Sequence, residues 1–145
     1  MVWDFKPVGY ARLNSRERET YNFQKVSGLL ADYGFVTMKL NNDWHGADFL
    51  AHNRDGRTLK VQLKGRLTFR KEYSGKNLWI CFCEKGRWYF YPHDELKTKL
   101  IAHSNRSRSK SWKKKGGYSM PYLTKELKRV LGEYEIRPVR QLRSD

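Results

Sequence analysis

The sequence predicts a mixed α/β fold in which a central β-sheet is flanked by helices. Three patterns point to it: an amphipathic helix over residues 14–33, a hairpin within residues 44–66, and a second strand pair over 78–91 that runs into a helix over 93–102. At 145 residues the chain falls in the usual range of one domain and is long enough to bury a real core. No internal repeat is present, so 1–145 reads as a single unit, with a core of about 14–103, a basic loop of about 103–117 and a C-terminal helical segment over 121–145.

Residues 1–13 carry aromatics and a proline without a clear period and read as an extended lead-in. Asn14 and Glu17 have the spacing of a capping box, and Gly34 supplies a natural stop. Phe23, Val26, Leu30 and Tyr33 fall on one line of the intervening helix, and Glu19 lies on that line four residues before Phe23. Glu19 is therefore expected to point inward, with Glu17 roughly opposite. Phe35 to Leu40 alternates as a first strand, and Asn41, Asn42 and Asp43 follow as a polar connection. Asp43 and His45 are expected to be exposed turn residues.

In the hairpin, Ala47, Phe49 and Ala51 alternate with more polar neighbours, and Asn53 to Arg57 supplies Asp-Gly turn chemistry. In its second strand Leu59, Val61 and Leu63 share one face while Lys60, Gln62 and Lys64 share the other. Antiparallel pairing then brings Asp48 near Gln62 and Lys64, so a carboxylate, an amide and an ammonium occupy one small patch. Residues 67–76 form a basic excursion at the sheet edge or a loop over a polyanion. Leu78, Ile80 and Phe82 alternate with Trp79, Cys81 and Cys83, a turn follows at 84–86, and Arg87 to Tyr91 returns; both faces are partly apolar, as in a strand covered on two sides. Asp94 and Glu95 open the next helix, which buries Leu96, Leu100 and Ile101. A last helix over 124–131 packs Leu123, Leu127, Val130 and Leu131, and the tail from 137 is basic.

Lysine and arginine number 30 against 15 acids, for a formal charge of +15 and a pI of about 10.0, so the expected partner is a polyanion. No apolar run approaches the roughly 18 residues of a membrane span, and the N-terminus lacks a signal-peptide core; a cytoplasmic location without membrane contact is expected. Cys81 and Cys83 lie two apart on a predicted strand, where bridging is poor, and no histidine stands at zinc-ligand spacing, so they read as reduced core thiols. The stretch 103–117 gathers Arg106, Arg108, Lys110, Lys113, Lys114 and Lys115 around Trp112, without a core pattern. It is either a disordered basic linker or a loop that orders on phosphates.

Asp48 on one strand and Gln62-Leu63-Lys64 on the next resemble the active-site hairpin of the PD-(D/E)XK nuclease superfamily, with Gln62 in the place of the usual acid. Glu19 matches the accessory carboxylate that many members carry on the first helix. The resemblance covers about residues 14–92 and implies a restriction-endonuclease-like core and a Mg²⁺-dependent endodeoxyribonuclease. Glu19, Asp48, Gln62 and Lys64 are then the catalytic set. Asp48, the Gln62 amide oxygen, the Leu63 carbonyl and Glu19 are the implied Mg²⁺ ligands, and a glutamine oxygen ligates without bringing charge.

The small size, the basic loops and the Gln-x-Lys triplet look most like the small intron-encoded homing endonucleases. That resemblance implies site-specific cutting of double-stranded DNA by a homodimer or homotetramer. A Holliday junction resolvase of the same superfamily is the nearest alternative. Arg66, Arg70, Lys71 and Lys76, with the 103–117 cations, are the candidate DNA contacts. The competing class is a non-catalytic module in which Trp88, Tyr89 and Tyr91 stack single-stranded bases.

Overall fold

The structure, a computed structural model, describes residues 2–102, 114 and 116–139. Helix α1 (Ser15–Ala31) starts as its sequence dictates: the Asn14 side chain accepts from the Glu17 N–H at 2.9 Å, and Glu17 accepts from the Asn14 N–H at 2.8 Å. Two of the orphan amides of the first turn are thereby paired. At the other end Gly34 takes φ +80°, the left-handed conformation that closes helices and that glycine adopts without strain.

Strands β1 (Phe35–Trp44), β2 (Ala47–Asn53) and β3 (Thr58–Leu63) follow as an antiparallel meander. The first strand is four residues longer than its apolar alternation predicts: it runs on through Asn41, Asn42 and Asp43, across an irregularity in the pairing with β2, to the Trp44–Ala47 pair. An edge strand with solvent on its outer side tolerates polar residues that would break a central one. The turn is displaced to His45 and Gly46, at φ +52° and +84°, as a tight two-residue hairpin requires.

Strands β4 (Leu67–Arg70), β5 (Leu78–Glu84) and β6 (Arg87–Pro92) lead into α2 (His93–Ala102); β7 (Gly117–Met120), α3 (Lys125–Leu131) and β8 (Glu135–Ile136) complete the described chain. The main sheet has six strands in the order β1-β2-β3-β5-β6-β8. It is mixed: β3 and β5 are parallel and the other pairs antiparallel. α1 covers one face, where Val26 and Leu30 pack on Phe49, Ala51, Val61 and Cys81. α2 and α3 cover the other, where Leu96, Leu100, Leu127 and Leu131 meet Ile80, Phe82 and Tyr91. This is the mixed, helix-flanked α/β sheet that the patterning predicts.

The sequence pattern does not show β7, β8 or the way β4 is held. The excursion after β3 begins as a buried strand, with Leu67, Thr68 and Phe69 all inside. β4 pairs with β7 in a two-stranded ribbon of its own. A Cβ on Gly117 would stand 2.5 Å from the Phe69 carbonyl oxygen, so this close approach admits only glycine. On its other edge β4 meets side chains instead of a strand: Tyr91 donates its hydroxyl hydrogen to the Thr68 carbonyl and accepts from the Thr68 N–H, while His93 Nε2 accepts from the Arg70 N–H.

That role fixes His93 as a neutral ring with its proton on Nδ1, directed at Asp94 Oδ1 2.9 Å away, and burial lowers the His93 pKa. Tyr91→Phe removes the partner of two buried backbone groups. The expected result is a loss of about 1–3 kcal/mol and, in thermal unfolding, a Tm lower by several degrees, with faster amide exchange confined to β4 and β7.

Burial also raises the thiol pKa of Cys81 and Cys83, and both are free thiols, as the sequence predicts. Tyr33 departs from the predicted apolar line: it is exposed just past the end of α1, where its hydroxyl donates to the Arg137 carbonyl. Among the described residues no helix is long and apolar enough to cross a membrane.

Candidate active site

The register of the central hairpin builds the site. Phe49 pairs with Val61 and Leu50 with Lys60, which brings the start of β2, where Asp48 lies, to the end of β3. The Phe49 and Val61 side chains anchor this register, because a slip of one residue would turn both apolar groups out of the core. Asp48 Oδ2 accepts the Leu63 N–H at 2.8 Å, which ties the carboxylate to the end of β3, where the Gln62-Leu63-Lys64 triplet leaves the sheet.

Burial pushes the Asp48 pKa above its ordinary value of 3.8; the Leu63 hydrogen bond and the Lys64 ammonium oppose that rise, and the Glu19 and Asp43 carboxylates add to it. Lys64 sits half-buried, with its Nζ 5.5 Å from the centroid of the Tyr73 ring and its backbone N–H donating to the Cys81 carbonyl at 2.8 Å. The aromatic face stabilises an ammonium at this point and limits where it can swing. The Tyr73 contact could not be read in sequence, since it comes from a short 3₁₀ turn (Lys71–Tyr73) on the excursion.

Gln62 is 9% exposed, and its Oε1 is buried without a hydrogen-bond partner. Leaving such an oxygen unpaired costs about 1–3 kcal/mol, and orphaned buried acceptors are characteristic of places where an ion or another polar group belongs. Carboxylate and amide oxygens are hard ligands of the kind magnesium takes. Among the described residues no three His, Cys, Asp or Glu side chains stand together in a preformed metal cluster.

The structure brings Asp48, Leu63 and Lys64 together and Glu19 within electrostatic reach of Asp48; Gln62 precedes Leu63 in β3, and its side chain makes no hydrogen bond to Asp48. Glu19 does not point into the core: it is exposed. Burial on the line that the periodicity picks out begins only further along α1. Along that line Glu19 is open, Phe23 half-buried, and Val26 and Leu30 fully covered. Asp43 is exposed at the end of β1 yet close enough to act on Asp48, so it contributes charge to the site from a strand. His45 is an exposed turn residue, as predicted, with its ring against Trp44.

Of the candidate DNA contacts, Arg66, Arg70, Lys71 and Lys76 are exposed, and Arg70 pairs with Glu72 at 2.6 Å. Lys114 is exposed; Arg106, Arg108, Lys110, Lys113 and Lys115 lie outside the described residues. Tyr89 and Tyr91 are 3% and 0% exposed, so neither offers a face to a base, and Trp88 alone of that trio is partly open.

No protein-family model matches the chain, and no curated protein matches it. Among solved structures it is similar to "The structure of a bacterial homing endonuclease", at 15% identity and a TM-score of 0.48, over 84% of this chain and 86% of that one.

Proposed function

We propose that the chain is a Mg²⁺-dependent nuclease domain of the PD-(D/E)XK type, with Gln62 in the acidic position, that hydrolyses phosphodiester bonds in double-stranded DNA. The observation that carries this reading is the Asp48 carboxylate of raised pKa held on the Leu63 N–H and coupled to Lys64, with the buried, unpartnered Gln62 oxygen on the residue just before Leu63. Asp48, the Gln62 oxygen, the Leu63 carbonyl and Glu19 would hold the metal, which supplies Lewis-acid polarisation of the phosphate and a lowered pKa for water.

The chain's own residues do the rest. The Leu63 N–H fixes the Asp48 carboxylate, and the Tyr73 ring holds Lys64 beside it. There the ammonium stabilises the attacking hydroxide and the charge that develops on the phosphoryl oxygens as the new P–O bond forms and the old one breaks. The charge of +15 attracts the substrate backbone. Cutting both strands of a long duplex target, as homing enzymes do, calls for two such sites and hence a symmetric homo-oligomer.

The substrate is found by incubating the protein with a supercoiled plasmid library and a four-way junction, in Mg²⁺ or EDTA. Discrete Mg²⁺-dependent linear products support the homing-type reading, and cutting of the junction alone supports a resolvase. Salt-sensitive binding without cleavage of any substrate would sink the nuclease. Gln62→Glu tests the donor directly. Without metal a second carboxylate, buried at position 62, lowers stability by about 1–3 kcal/mol, and with Mg²⁺ the variant gains more Tm than the wild type, as melting curves would show.

A further inference from the structure

A cleft of about 490 Å³ opens beside Lys64, and Asp48 is not among the residues that line it. Its walls come from the N-terminal lead-in, α1, the end of β3 and the β5–β6 turn, and its character is set by Tyr10, Tyr21, Lys25, Lys64, Lys85 and Trp88. Among the described residues that line it there is no Asp or Glu. The lead-in is held in place by Arg18, which donates to the Ala11 carbonyl at 3.0 Å and lies 5.3 Å from the Tyr10 ring centroid. Tyr10 in turn packs edge-on against Tyr21, with centroids 5.4 Å apart, and Lys25 Nζ stands 5.3 Å from the Tyr21 ring.

We propose that this cleft binds one nucleotide of the substrate strand, turned out of the duplex next to the scissile phosphate, its phosphate among Lys25, Lys64 and Lys85 and its base against Tyr21 and Trp88. The proposal rests on the nuclease reading only for its placement beside the reacting phosphate. Three cations without an acid select an anion, and aromatic rings among them select one that carries a flat apolar group. The volume lies within the range of small-ligand pockets, about 300–1,000 Å³, which a single nucleotide fills and a duplex cannot enter. Because Lys64 lines both the cleft and the candidate active site, a strand seated here leads directly to it.

The test is binding of a fluorescein-labelled hexathymidylate to the full chain in EDTA, where no cleavage can intervene, with a blunt duplex as the comparison. Tyr21→Ala is expected to weaken hexathymidylate binding about 5- to 100-fold, as loss of one stacked base does, while Tyr21→Phe stays near wild type. The Lys25→Gln, Lys85→Gln double variant is expected to lower the slope of log affinity against log salt by about 1.4, at about 0.7 per cation on a single strand. Melting temperatures of these exposed-residue variants check that the fold is intact.

Unchanged affinity and slope in the variants would overturn the proposal. So would an unaffected Tyr21→Ala beside a lysine variant that weakens duplex and single strand alike, because the cleft would then track duplex phosphates. If Tyr21-dependent binding is found but Mg²⁺ cleaves nothing, the cleft stands and the nuclease falls; cleavage without Tyr21 dependence has the opposite meaning.

Discussion

Lys64→Ala is expected to lower the rate of Mg²⁺-dependent DNA cleavage by at least about 10²–10³-fold, the usual cost of removing one preorganised transition-state charge. DNA affinity measured in Ca²⁺ is expected to stay within a few-fold. Lys64 is one of 30 cations on this chain, so binding has many other contributors, but it is the cation that the end of β3 delivers to Asp48. Its ammonium is held against Tyr73, and only a group fixed before the reaction can answer charge that develops during it. Lys64→Arg is not an expected rescue, because the planar guanidinium is larger and distributes its donors differently. Cleavage by Lys64→Ala at the wild-type rate would remove this residue from the site.

Asp48→Asn is expected to abolish cleavage and at the same time stabilise the fold. The carboxylate ionises near 3.8 in the unfolded chain and at a higher pH in the folded one, because burial and the neighbouring Glu19 and Asp43 outweigh the Leu63 hydrogen bond and Lys64. The folded state therefore holds its proton more tightly than the unfolded state, and Asp48 subtracts stability as pH rises through those two values. Asparagine escapes that loss and still offers an oxygen to the Leu63 N–H. At neutral pH the variant should be the more stable of the two, with a higher Tm, and the two proteins should converge below about pH 3.8. In the wild type, metal affinity should fall as pH drops through the raised Asp48 pKa, since a ligating carboxylate must lose its proton. A less stable Asp48→Asn at neutral pH would contradict this electrostatic account.

The parts of the fold that were legible in sequence are those whose hydrogen bonds and burial are local. Asn14 and Glu17 cap α1 within three residues of each other. The β2–β3 hairpin announces itself by alternation and by Asp-Gly in its turn, and its register followed from Phe49 and Val61, which is why Asp48 could be expected near the end of β3 and Lys64. What was not legible depends on distant partners. β4 and β7 are four residues each, and β4 is secured by the side chains of Tyr91 and His93 some twenty residues away. The exposure of Glu19 depends on where along α1 burial begins. The lone Gln62 oxygen could be seen only once its surroundings were packed.

The measurement that tests the central claim most directly needs no knowledge of the DNA target: thermal unfolding of the wild type and Asp48→Asn across a Mg²⁺ titration at neutral pH. A metal that binds only the folded state raises Tm in proportion to RT ln(1 + [Mg²⁺]/Kd). The predicted result is a rising Tm for the wild type and a flat, initially higher Tm for Asp48→Asn. Parallel titrations of the two proteins, or a wild-type Tm indifferent to Mg²⁺, would show that Asp48 and Gln62 hold no metal and would contradict the account.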